Sequence, residues 1–391
     1  MDSTRQHPVA HAGDAEGSAE FAPLRPTPRP EPHEDAATAV PDRQPAAAPE
    51  LAERDELEAL MATRRAAARR GAAPTASDFT SERLMRPKAE VPRSGWRRFV
   101  YHLTAGTVNL GPSPAELAAR DLVARAKAPV LGCRRIAVMS RKGGVGKTTT
   151  TLELGHTFAS HRGDRVIALD GNPDAGSLAY RVRRETTATI TDLLRSRETI
   201  ERYADIRAYT SQAPTRLEVV AADDDPSITD ALREEDFYSV VDLLEHHYNL
   251  VLMDTGTGVL ESAAKGIVNL ADQLVVVSGP SLDTARSAML TLDWLDKHGH
   301  GDLVANGVAV INGVRAASRL DLDRVEGLFA GRVAAVVRIP WDPILEAGAE
   351  APIEDLKPET QQAYLELAAA VADGYDKDRP PTRLAAHSNA R

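Results

Sequence analysis

Short apolar runs, several closed by aspartate, asparagine or glycine, alternate with stretches of helical periodicity along the C-terminal two thirds of the chain. The runs at 136–139, 165–170, 216–221, 249–254, 273–278, 304–310 and 333–339 read as strands buried on both faces. Between them the spacing predicts helices over 148–161, 189–196, 227–247, from Leu282 to Leu295, and over 358–374. In the helix at 227–247, Leu232, Val240, Val241, Leu243 and Leu244 are the expected core positions. Alternation of this kind predicts a doubly wound α/β domain with a mostly parallel sheet and right-handed crossovers. Ligands of such sheets sit beyond the carboxyl ends of the strands. Upstream, Ser113 before Pro114, with Glu116 two residues on, predicts a capped helix from Pro114 to about Lys127.

Composition divides the chain. Residues 1–92 are crowded with Ala, Pro, Glu, Asp and Arg and nearly lack aromatic and β-branched residues. They are expected to form a disordered arm, because too little apolar surface is available to offset ordering. Leu51, Leu57, Leu60 and Met61 mark a transient or partner-induced helix within it, over 51–70. A basic aromatic extension over 93–130, an α/β domain over 131–375 and a polar tail over 376–391 complete the expected organisation. The net charge of −10 is uneven: acidic to residue 58, basic from 59 to 135, and acidic beyond. So acidic a domain is a poor non-specific ligand for nucleic acid. Cys133, the only cysteine, excludes a disulfide within the chain and suits a reducing cytoplasm. The start of the chain is polar and no run approaches a membrane span, so a cytoplasmic protein is expected.

The segment from Ser94 to Leu103 changes character abruptly, with Trp96, Phe99 and Tyr101 among Arg97 and Arg98. Packing back onto the domain is the leading reading. Binding another protein and touching an anionic membrane surface through Trp96 to Leu103 are the others, the last not favoured.

The most specific signal is Ser140-Arg141-Lys142-Gly143-Gly144-Val145-Gly146-Lys147-Thr148-Thr149-Thr150, which follows an apolar strand and opens a helix. Gly143, Gly144 and Gly146 let backbone N–H groups, with that of Val145, curl around an anion. The helix end adds its dipole there, at Lys147, Thr148 and Thr149. Lys147 is spaced to reach the β/γ-phosphates of a nucleotide, and the Thr148 hydroxyl to ligate Mg²⁺. The usual pattern G-x-x-x-x-G-K-[ST] fails at Arg141, whereas K-G-G-x-G-K-[ST] is matched in full.

Residues Lys142 to Thr149 therefore resemble the ParA/MinD family of deviant Walker A ATPases. The resemblance implies a P-loop NTPase fold of the SIMIBI type, ATP and Mg²⁺ as cofactors, and a homodimer formed on ATP binding. It also implies that Lys142 reaches across that dimer to the partner's phosphates, a charge donor supplied in trans. The order Gly95-Trp96-Arg97-Arg98, then Asn109-Leu110-Gly111-Pro112-Ser113-Pro114-Ala115-Glu116, then the loop, is similar to MinD-like ATPases encoded beside type VII (ESX) secretion systems of actinobacteria. This similarity runs over roughly residues 94–375 and implies a component of that apparatus as partner.

Further roles follow from the resemblance. Asp170 matches the first switch I aspartate, which organises Mg²⁺ and its waters. Asn172 stands where the family has the aspartate that positions or activates the attacking water. An amide can orient water but cannot take its proton, so slow hydrolysis is expected, with Asp174 as a compensating group. Asp254, ending an apolar run before Thr255-Gly256-Thr257-Gly258, resembles Walker B and switch II and implies a hold on Mg²⁺. Asn312 is a candidate adenine contact, with a turn-forming Asn-Gly as the alternative reading. Pro340 belongs to a base-flanking Pro-x-Asp loop. A nucleotide-stabilised adaptor with little hydrolysis, and a chromosome- or plasmid-partitioning ATPase, are the competing functions.

Overall fold

The computed structural model describes residues 91, 95–171, 176–223, 233–256, 262–318 and 320–375. The expected arm up to residue 90, its helix at 51–70 and the tail at 376–391 lie outside these residues. Among the described residues the strands are β1 (Arg134–Met139), β2 (Val166–Gly171), β3 (Ser211–Gln212), β4 (Glu218–Val220), β5 (Leu250–Thr255), β6 (Gln273–Ser278), β7 (Val308–Val314) and β8 (Ala335–Pro340). They form one sheet in the order β3-β4-β2-β5-β1-β6-β7-β8. Every pairing is parallel except the short β3 against β4. The chain leaves β1 toward β2 on one side and later returns to build β6, β7 and β8 on the other. The crevice above β1 is thus a topological switch point.

The longer helices are α1 (Gly95–Leu103), α2 (Pro114–Ala126), α3 (Lys147–His161), α4 (Ile190–Arg195), α5 (Glu234–Glu245), α6 (Ser262–Leu270), α7 (Leu282–Lys297), α8 (Leu322–Ala330) and α9 (Pro358–Ala372). β1 shows how they layer. Ile136 and Val138 pack with α2, α3 and α9, while Ala137 and Met139 pack with α4 to α8. Alternate side chains enter opposite layers, yet all four are fully buried, which is why the run is apolar without alternation. α2 begins as expected: Ser113 Oγ accepts the Glu116 N–H at 3.1 Å, with Pro114 in the first turn. Among the described residues, no helix is long and apolar enough to cross a membrane.

One run is read differently by the fold. Residues Gly301–Ala305 form a short helix, and β7 starts only at Val308. Leu303 and Val304 are buried from helical backbone, an arrangement an apolar run alone does not distinguish from a strand. Gly307 permits the sharp exit, since a Cβ there would crowd the Leu303 and Val304 carbonyls at 3.1 Å. Asn312 and Gly313 consequently lie inside β7, where a strand end was expected. A second expectation also fails. α1 does not pack back onto the domain: none of its residues is buried, and Trp96 and Phe99 are 65% and 67% exposed.

At the base of the sheet, Arg135 on β1 is buried with Asp272 in a two-pronged ion pair, Nε to Oδ2 at 2.9 Å and Nη2 to Oδ1 at 2.8 Å. Glu245 of α5 adds a longer contact at 3.5 Å. Removing one partner of a buried pair strands the other charge in apolar surroundings. Asp272→Ala should therefore lower unfolding stability by about 3 kcal/mol in denaturant titration; a loss under about 1 kcal/mol would show the pair to be dispensable.

Candidate nucleotide-binding site

β1 stops at Met139 and the loop 140–146 delivers the chain into α3, whose first residue is Lys147. The reversal uses left-handed backbone at Gly144 (φ 74°) and Gly146 (φ 87°), which side chains disfavour. Gly146 is restricted a second time, because a Cβ there would overlap Asn312 Nδ2. That amide donates to the Val145 carbonyl at 2.9 Å, so β7 ties down the loop. Among the described residues no side chain caps the start of α3, whose first-turn N–H groups and dipole favour an anion. Gly143 and Gly144 are exposed, whereas Val145, Lys147, Thr148 and Thr149 are buried.

Two carboxylates lie at adjacent strand ends beside this loop. Asp170 and Asp254 are register partners on β2 and β5, each 1% exposed. Thr148 Oγ1 donates to Asp254 Oδ2 at 2.6 Å, and Thr151 Oγ1 to Oδ1 at 3.3 Å. Lys147 Nζ stands 3.8 Å from the same carboxylate. Burial pushes the Asp254 carboxyl above its usual range, against the pull of Lys147 and the two hydroxyls. Asp170 Oδ2 accepts the Leu178 N–H at 3.0 Å, and a side chain at Gly176 would overlap that oxygen. The chain leaving β2 thus folds back closely over Asp170. Two buried carboxylates and a threonine hydroxyl are a hard-oxygen donor set, which suits Mg²⁺. A cation would also relieve the burial of two like charges.

Lys142 is half exposed, its Nζ 2.7 Å from Asp283 in the first turn of α7. Asn172 and Asp174 lie outside the described residues, as does Gly258. Pro340 ends β8 and pairs in register with Val314, two residues beyond Asn312, so the two candidate base contacts lie near the ends of neighbouring strands. Trp341 follows, beneath the Arg315 guanidinium at 4.3 Å and Lys357 Nζ at 5.0 Å from its ring centre. Asp342 is occupied structurally, accepting the Ile344 and Lys357 N–H groups at 3.1 and 2.9 Å.

Arg181 is a site neighbour that the sequence did not reveal. It sits in the turn Ala179–Arg181, and its Nη1 donates to Thr149 Oγ1 at 2.6 Å. It forms no ion pair with another described residue, and its buried Nε has no partner. The buried Glu153, farther along α3, also has an unpartnered oxygen, and desolvation pushes its carboxyl up to about 8. The Arg181 guanidinium also pulls on the carboxyls of Asp254 and Glu153, and its positive charge beside the first turn of α3 adds to the attraction for an anion. In sequence Arg181 is one of several arginines in a polar run and carries no periodic or motif signal.

A family model described as AAA domain matches residues 133–291. The chain is 40% identical over 293 residues to the ESX-1 secretion-associated protein EspI of Mycobacterium tuberculosis, covering 73% of this chain and 43% of EspI. The chain thus spans less than half the length of that curated relative. It is 28% identical over 174 residues to the septum site-determining protein MinD of Synechocystis, covering 44% of this chain and 62% of that protein. The cell division ATPase MinD of Pyrococcus furiosus shares the fold, with a TM-score of 0.52 at 21% identity, over 62% of this chain and 99% of that one.

The buried Glu153 gives a pH prediction. Its folded pKa is raised, so its contribution to stability is full below about 4.5 and lost as pH rises through about 8. Thermal unfolding followed from pH 5 to 9 should fall across this window in the wild type and fall less in Glu153→Gln. Parallel curves for the two proteins would show that Glu153 is ionised at little cost.

Proposed function

Because the chain is a ParA/MinD-type P-loop protein, similar to a relative associated with ESX-1 secretion, we propose that it is a Mg-ATP-dependent molecular switch. It dimerises around nucleotide, hydrolyses ATP slowly, and acts on a protein partner in a type VII secretion apparatus. The observation that carries this reading is the 2.6 Å bond from Thr148 to Asp254. It joins the phosphate loop to the carboxylate at the end of β5, residues that are 106 apart in sequence. The apolar run ending at Asp254 is weak evidence alone, and its contact with the loop supports reading the two as one site.

In this reading the backbone of Gly143 to Gly146 and the first turn of α3 hold the phosphates, with Lys147 and Thr149 alongside. Thr148, Asp170 and Asp254 would hold Mg²⁺, which supplies charge neutralisation to the phosphates when bound. Asn312 and Pro340, on neighbouring strands beside the loop, meet the base. Among the described residues, Lys142 pairs only with the exposed carboxylate of Asp283. An exposed pair of this kind contributes about 0–1 kcal/mol, so Lys142 can leave it for a phosphate across a dimer interface. Asn172 orients water without accepting its proton, which keeps turnover slow. The switch acts in the cytoplasm, in keeping with the lone Cys133. The same Asn172 favours the second reading, an adaptor stabilised by nucleotide that hardly hydrolyses it.

Steady-state ATP turnover, with sizing in ADP and in a non-hydrolysable ATP analogue, tests the proposal on wild type and Lys142→Ala. The switch requires an analogue-dependent dimer, lost in the variant, and turnover above background. Tight nucleotide binding with neither turnover nor a change of size would replace the switch by the adaptor. Absence of nucleotide binding in the wild type would reject both.

A further inference from the structure

α1 is turned inside out relative to an ordinary surface helix. At 3.6 residues per turn, Trp96, Phe99, Val100 and Leu103 fall on one face, and Arg97, Arg98, Tyr101 and His102 on the other. The polar face is the one engaged by the chain. Arg97 Nη1 donates to the Leu110 carbonyl at 3.3 Å and the Pro112 carbonyl at 3.0 Å. Tyr101 lies against Gly106, where a Cβ would stand 3.3 Å from the phenol oxygen. The apolar face meets solvent, with Trp96, Phe99 and Leu103 exposed at 65%, 67% and 73%.

The next helix behaves oppositely. α2 is bound to the domain through Arg125, whose guanidinium donates to both oxygens of Asp373 at 3.2 and 2.6 Å. Its C-terminal carbonyl at Ala126, with that of Ala128, accepts from Arg162 at 2.8 and 2.7 Å. Ala126 is fully buried. The extension is therefore anchored at α2 and presents α1 outward.

We propose that α1 is a surface-binding helix that lies on an anionic phospholipid surface, apolar face inward and arginines at the headgroups. The charge pattern selects this occupant. From Val91 to Ala115 there is no aspartate or glutamate, while Arg93, Arg97, Arg98 and His102 fall within it, in a chain of net charge −10. The matching surface must be apolar and anionic at once, as the boundary between acyl chains and acidic headgroups is. Trp96 and Phe99 suit that boundary, and arginine stems extend from it toward phosphate. A groove on a protein would account for the apolar face but not for a stretch from Val91 to Ala115 that carries cations and no carboxylate. One short helix makes such binding weak and reversible. The inference does not depend on nucleotide binding.

The test is flotation of the full chain with vesicles of phosphatidylcholine alone, and with about 30% phosphatidylglycerol added, at low and high salt. Binding to the anionic vesicles should exceed that to the neutral ones by about fivefold or more, and should fall as salt screens the charges. Phe99→Asp and Trp96→Ala, at exposed positions, should each reduce it toward the neutral-vesicle level with unchanged thermal unfolding. Equal binding to both vesicle types, no binding to either, or full binding by both variants would overturn the proposal. So would an oligomer in lipid-free buffer that Phe99→Asp dissociates, since the face would then belong to a second copy of the chain.

Discussion

A carboxylate buried as deeply as Asp254 cannot stand without partners, because desolvation of an isolated charge costs far more than any one contact returns. Its partners come from one place, the first two turns of α3: hydroxyls from Thr148 and Thr151 and the more distant Lys147 ammonium. That requirement links the architecture to the site. β5 must lie beside β1 for its terminal carboxylate to meet the helix that β1 feeds. The loop between β1 and α3 must turn within a few residues, which it does through left-handed backbone at Gly144 and Gly146. The loop is then fastened from the opposite side of the sheet by Asn312.

Polar groups are treated differently at the two ends of the sheet. At the base, Arg135 and Asp272 satisfy each other, with Glu245 as a third member. At the carboxyl end the balance is left open. Asp170 and Asp254 adjoin, Arg181 makes no ion pair at contact distance among the described residues, and Glu153 and Arg181 each keep a buried polar atom without a hydrogen bond. Closed pairs hold a fold rigid, whereas incomplete ones are where a ligand gains most by arriving. The same contrast separates the helices of the extension, since α2 spends its polar ends on the domain and α1 leaves its apolar face in water.

Much of this was legible in the chain itself. Strands buried on both faces write themselves as continuous apolar runs, and the loop announces itself because glycine takes its left-handed backbone at least cost. Ser113, Pro114 and Glu116 mark the start of α2 through contacts within one turn. Such features depend on neighbours along the sequence, so local physics determines them. The run at 304–310 shows the limit, as apolar residues buried from a short helix and from a strand look alike until Gly307 is seen to turn the chain.

Tertiary structure decided the rest. The sequence supplied Thr148 and Asp254 as separate candidates, and only the strand order brought them to 2.6 Å. Arg181 carried no signal, because its contact with Thr149 depends on where a turn 32 residues away comes to rest. The amphipathic pattern of α1 was visible from its residues, but a helical wheel does not say which face meets the protein. That depends on Arg97 finding the carbonyls of Leu110 and Pro112 once the following segment has folded back. Caps, tight turns and continuous apolar strands rest on neighbours along the chain and were set by composition and spacing, whereas pairings across the fold exist only after the sheet has chosen its order.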